Sequence, residues 1–310
     1  MQIELTDFYS RLGTIALILL LGFLLGELKL ISPKTNKDLV NLLLTVFMPA
    51  SLFLAFPTSY SEETSDLFLY GLLAGFLVMF AVIILSRLIF NKTFFKHEQQ
   101  RSAVQFALIF NNATFLGYPI IASTFGETGI IPYCGFIIAF NIALFSYGVY
   151  LFKHKLDLKL ILGVLTNPNI IAVILGVIIF LTGFTVPSFI KDAVQFTGNA
   201  TTALSIICVG YMLSNAKIHR LLKKWKLILT ALIQLILGPL LTWALLSALN
   251  FPSAVIMVCT LIQALPTATS LGLFASKYGG DETEASELVT ISTLLSIVTM
   301  PLMVSLLIIR

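Results

Sequence analysis

The stretch IFNNATFLGYPII, residues 109–121, lies inside an apolar run long enough to cross a bilayer. Two adjacent asparagines, a threonine, a glycine and a proline are costly there. Proline removes a backbone donor and clashes with the preceding turn, so a helix is expected to break at Pro119. In hydrocarbon, freed backbone groups cost several kcal/mol each unless protein or a watery cavity satisfies them. A chain that keeps such residues halfway across a membrane must be using them.

The surrounding composition sets the class. Of 310 residues, 58% are hydrophobic and 11% charged, against about 25% charged in soluble domains. The reading is an all-α polytopic membrane protein. Measured against the ~20 apolar residues that a spanning helix needs, ten spans are expected. They lie at 8–28, 38–57, 66–90, 101–124, 129–152, 166–184, 188–214, 226–249, 254–277 and 286–308. Residues 153–165 mix charge and apolar side chains and read as a cytoplasmic linker lying along the interface. The start, MQIELTDFYSR, is acidic and lacks the basic start of a cleavable signal, so the first span is expected in the mature protein. Cys134, Cys208 and Cys259 sit in apolar runs without metal-ligand spacing and read as packing residues, with no cofactor or metal implied.

Lysine and arginine give the orientation. Lys29, Lys34, Lys37, Arg87, Lys92, Lys96, Arg101, Lys153, Lys155, Lys159, Lys217, Arg220, Lys223, Lys224, Lys226 and Lys277 fall on one side, and Arg11, Lys191 and Arg310 on the other. Sixteen against three places both termini outside under the positive-inside rule. His97, His154 and His219 then lie in cytoplasmic loops. The net charge of +4 records this bias and needs no nucleic acid to explain it.

The chain also repeats. ISPKTNKDLV at 31–40 returns as TVPSFIKDAV at 185–194, Leu21-Gly22 as Leu175-Gly176, and ASTFG at 122–126 as ASKYG at 275–279. Three matches in register predict two five-helix units, 1–152 and 166–310. An odd number of spans per unit inverts the second copy, the arrangement in which transporters hold substrate near the midplane.

The repeat maps the fourth span, with NNATFLGYP, onto the ninth, with LIQALPTATSLG. Breaks are expected at the crossover residues Gly117, Pro119 and Pro266, with Asn111, Asn112, Thr114, Gln263, Thr267 and Thr269 satisfying the freed backbone; Asn111, Thr114, Gln263 and Thr267 are also expected to bind substrate. Two half-helix N-termini meeting there would attract an anion such as a carboxylate. Glycines spaced by four, Gly22 with Gly26 and Gly71 with Gly75, read instead as close helix packing.

NATFLGYP, TNPNIIAVILG, QALP and ASKYGGDETEASELVTISTLLSIVTMPL together resemble the auxin efflux carrier family, which includes plant PIN-type exporters and bacterial malonate and malate permeases. More distantly, the chain is similar to the bile-acid/sodium symporters. The resemblance implies crossed fourth and ninth helices and elevator-type transport of organic anions. It also implies a scaffold of spans 1, 2, 6 and 7 and substrate contacts at Asn112 and Asn169. From the sequence alone Asn169 has a second reading, as a cap on the sixth span beside Pro168. The long hydrophilic loop of plant members is missing, and Thr267-Ala268-Thr269 departs from the plant pattern, which weighs against auxin itself.

No charged residue lies at the centre of a span, so a buried carboxylate relay is not expected. Asp38 and Asp192, repeat-related at span ends, are the candidates for ion coupling; the alternative for both is interfacial anchoring. Uniport, proton coupling and sodium coupling stay open. No nucleophile, base, carboxylate pair or metal set reaches membrane depth, which argues against an intramembrane enzyme. The resulting expectation is a secondary transporter of small mono- or dicarboxylates in a bacterial plasma membrane, homodimeric through its scaffold. A sodium symporter of the bile-acid type and an anion channel are the alternatives.

Overall fold

A computed structural model describes residues 5–55, 61–91, 93, 95, 97–155, 163–214, 221 and 223–307. Among these the chain is helical throughout, and its only β feature is one isolated bridge. The helices are α1 (Leu5–Glu27), α2 (Pro33–Leu42, a wide turn Leu43–Phe47, then Met48–Phe53) and α3 (Glu62–Ile89). Next come α4a (Glu98–Ile109) and α4b (Ala113–Gly117 running into Tyr118–Phe125). They are followed by α5 (Glu127–Ala143, a wide turn Leu144–Gly148, then Val149–Lys153) and α6 (Pro168–Thr182). The remainder are α7 (Ser188–Ser214), α8 (Trp225–Ala248), α9a (Ser253–Gln263), α9b (Ser270–Tyr278) and α10 (Glu282–Leu307). Among the described residues α3, α5, α7, α8 and α10 are long and apolar enough to cross a membrane, and shorter apolar helices accompany them. The protein is a multi-pass membrane protein.

Local chemistry sets the ends. Ser32 accepts from Thr35 N with Pro33 in the first turn, so α2 starts at 33 rather than the expected 38. Ser61 likewise caps α3, with Glu62 and Glu63 favourably placed at its positive end. The expected interfacial segment keeps one short turn, Gly163–Thr166, while residues 156–162 lie outside the described ones.

Packing is closest at glycine. A methyl on Gly22 of α1 would sit 2.3 Å from the Ile207 carbonyl of α7, and Gly210 of α7 returns the contact against Leu19 O at 2.1 Å. Gly71 of α3 meets the Pro132 carbonyl of α5 at 2.2 Å in the same sense. Any side chain there drives backbone from backbone, so the expected close packing at Gly22 and Gly71 holds. Besides these pairs, α2 packs along α6 and α7, α8 along α10, and α9a against α8 and α5.

Polar links tie several helix ends together at one face of the molecule. Glu98 lies 3.3 Å from His154, Gln99 donates to Gly279 O, Gln100 to Glu284, and Lys224 pairs with Glu287. These contacts bring the starts of α4a, α8 and α10 beside the ends of α5 and α9b. Arg101, Lys153, Lys155, Lys223, Lys224, Lys226 and Lys277 therefore share one end.

Candidate functional site

Both α4 and α9 are interrupted, and their interruptions cross. Asn112 N donates to Pro266 O at 2.6 Å and Ala268 N to Phe110 O at 2.8 Å, closing an antiparallel bridge between Asn111 and Thr267. Each broken helix thus supplies the backbone partner that the other lacks. That removes the cost of open backbone in hydrocarbon.

The break in α4 is not where Pro119 predicts it. It lies at Phe110–Asn112, and α4b continues unbroken through Gly117 and Pro119. The proline is accommodated by a wide turn just before it, in which Tyr118 N reaches back five residues to Ala113 O. Widening moves a carbonyl out of the way of the ring, so the helix survives. At Gly117 the two broken helices pack closely, since a methyl there would stand 3.2 Å from Leu265 Cδ1. In α9, Pro266 sits within the break between Gln263 and Ser270, where its missing N–H strands no donor.

Side chains hold the crossing. Asn111 Nδ2 donates to Gln263 O at 2.9 Å, and Asn112 Oδ1 accepts from Phe115 N at 3.2 Å, capping α4b. Gln234 of α8 donates to Leu265 O at 3.1 Å and accepts from Thr267 Oγ1 at 2.9 Å, while Ser292 of α10 accepts from Thr267 N. Gln234 and Ser292 were not singled out from the sequence. Gln234 was findable as a lone amide within LILTALIQLILG.

Beside the crossing lies a cavity of about 330 Å³. Asn111, Asn112, Thr114 and Asn169 line it, together with Asn41, Thr45, Asn141, Asn167, Thr269 and Ser270. Phe115, Phe140, Phe145 and Phe274 complete its apolar wall, and among the described residues no Lys, Arg, Asp or Glu is part of the lining. Three helix N-termini open onto it: α4b at Asn112, α6 at Asn167 and α9b at Thr269. The half-helix N-termini expected near Pro119 and Pro266 lie instead at Asn112 and Thr269, and the third, at α6, comes from the fold.

The buried atoms Asn111 Oδ1, Asn112 Nδ2 and Asn169 Oδ1 have no hydrogen-bond partner among the described residues. The second reading of Asn169 fails, because the cap on α6 is Asn167, whose Oδ1 accepts from Asn169 N at 2.9 Å. Gln263 and Thr267 are fully buried away from the cavity, at the back of the crossing. Asp38 and Asp192 are exposed near the starts of α2 and α7, and neither lines the cavity.

Comparison with known proteins agrees with this architecture. Residues 8–304 match the membrane transport protein family. The chain belongs to that family. The auxin-efflux-carrier resemblance read from its motifs is therefore correct. An uncharacterised transporter of Escherichia coli K12, YfdV, is 25% identical over 96% of this chain and 97% of its own length. An uncharacterised transporter of Methanocaldococcus jannaschii is 25% identical over 64% of this chain and 67% of its own length.

Proposed function

We propose that this family member is an elevator-type secondary transporter of small organic anions, mono- or dicarboxylates, with its substrate in the cavity beside the crossing. One observation carries the reading: a cavity whose described lining has no charged side chain, onto which three helix N-termini and asparagine amide atoms unpartnered among the described residues open. Each N-terminus presents about half a positive charge. Such dipoles attract a carboxylate without the desolvation cost of a buried lysine or arginine. Asn112 Nδ2 is a donor without a partner, so an acceptor atom on the substrate completes it.

The packing supports ten spans in two inverted units, 1–152 and 166–310. Exchanging each helix for the one five places along turns the α1–α7 contact into α6–α2, and α3–α5 into α8–α10. Both units end their second half-helix on a glycine of positive φ, Gly126 at 60° and Gly279 at 89°. These glycines close the matched ASTFG and ASKYG segments. The reading also takes both termini to be outside a plasma membrane, with homodimerisation through the scaffold.

The test is thermal stabilisation of the purified protein by a panel of carboxylates, with and without sodium, followed by counterflow in proteoliposomes. A carrier shows stabilisation and saturable, trans-stimulated uptake. Stabilisation without trans-stimulation indicates a channel, and neither result leaves the cavity without a transport role.

A further inference from the structure

A second cavity, of about 310 Å³, opens at the basic end of the molecule. Lys223, Lys224, Trp225, Lys226 and Leu227 at the start of α8 line it, with Gln100 of α4a and Glu284 of α10. Two of its walls are tied together, since Gln100 Nε2 donates to Glu284 Oε1 at 2.6 Å. Lys224 is engaged by Glu287. Among the described residues neither Lys223 nor Lys226 has a carboxylate within 4.0 Å. Lys226 Nζ instead lies 5.8 Å from the ring centres of both Phe95 and Trp225. Trp225 itself is 62% exposed.

We propose that this cavity binds the phosphodiester headgroup of an anionic membrane lipid. Three lysines against Glu284 and Glu287 leave one positive charge, and the N-terminus of the 24-residue α8 adds a partial one. That balance suits a monoanion such as a phosphodiester better than the more highly charged inorganic phosphate. Trp225 supplies the interfacial anchor, an apolar ring with a polar N–H that settles at headgroup level. Clustered lysines immediately beside a membrane helix draw anionic lipid from the surrounding leaflet. The inference rests on the protein's being embedded in a membrane and is independent of what the carrier moves.

The experiment titrates the detergent-purified full chain with short-chain phosphatidylglycerol, phosphatidylcholine or inorganic phosphate and reads the melting temperature. Phosphatidylglycerol should raise it, and the other two should not. Lys223→Gln with Lys226→Gln should remove at least half of that shift, while Lys223→Arg with Lys226→Arg keeps it. Glu284→Gln, which removes a wall carboxylate, should enlarge the shift; this variant keeps the idea testable if the double glutamine variant folds poorly. A control pair on the same side, Lys34→Gln with Lys37→Gln, should leave it unchanged. Equal loss in the control pair means general surface attraction and overturns the site. An unchanged shift in the glutamine pair, or an equal shift from inorganic phosphate, overturns the lipid assignment.

Discussion

Asn112 divides its amide between fold and ligand. Its Oδ1 caps α4b through Phe115 N, whereas its Nδ2 is buried without a partner beside the cavity. Asn112→Asp keeps the capping oxygen, and aspartate is as good a cap as asparagine. The substitution places a carboxylate where the donor was. It should leave the melting temperature within a few degrees of wild type and abolish carboxylate uptake; retained uptake would remove Asn112 from the substrate site. Asn167 and Asn169 divide two roles between two residues. Asn167→Ala removes the cap on α6 and should cost about 1 kcal/mol of stability. Asn169→Ala should spare stability and weaken substrate binding by about 1–3 kcal/mol. Because Asn112 and Asn169 line one cavity from different helices, their alanine variants should be non-additive, with coupling of about 0.5–3 kcal/mol in a double-mutant cycle on binding. Additive losses would mean that the two do not share a ligand.

The two broken helices are held from outside themselves, and this sets what could be read from sequence. Gln234 of α8 satisfies Leu265 O and Thr267 Oγ1 at a fully buried position. Gln234→Leu should orphan both, at about 1–3 kcal/mol each, and visibly lower the melting temperature. Pro119→Ala, by contrast, changes a residue that α4b already accommodates, so both the crossing and stabilisation by carboxylates should survive it. A large loss in Pro119→Ala would restore that proline to the crossing. The polar run around Asn111–Asn112 and the proline at 266 were legible because polar and helix-breaking residues stand out in an apolar chain, whereas pairing Pro266 with Pro119 was misleading. The position of the α4 break was not. It is fixed by hydrogen bonds to Pro266 and Ala268 in the other half of the chain, while the local cost of Pro119 is absorbed by a single wide turn. The cavity residues Asn41, Thr45 and Asn141 were missed for a related reason. Each is an ordinary polar residue on its own helix, and only the packing of α2 and α5 around the crossing puts them together.

Across the whole molecule, charge and packing agree about which end is which. The polar links among α4a, α5, α8, α9b and α10 gather lysines and arginines that lie far apart in sequence. Pro33 and Asn36, beside Lys34 and Lys37, share a cavity wall with Met212, Leu213 and Ser286, so the start of α2 lies near the end of α7 and the first turns of α10. A helical membrane protein keeps its basic loops in the cytoplasm. On the proposed orientation this end faces inward, and the short connection between α8 and α9a faces out. Thr93, in the segment before α4a, and Ser253, at the start of α9a, are both exposed and belong to opposite ends. The three native cysteines are all buried and give a low background for labelling. In intact cells Ser253→Cys should react with a membrane-impermeant thiol reagent, and Thr93→Cys should react only after permeabilisation. The reverse pattern would invert the molecule, placing its basic end outside. Labelling of both sites in intact cells would contradict the assignment of the two segments to opposite faces and, with it, the odd number of crossings, α4 to α8, between them.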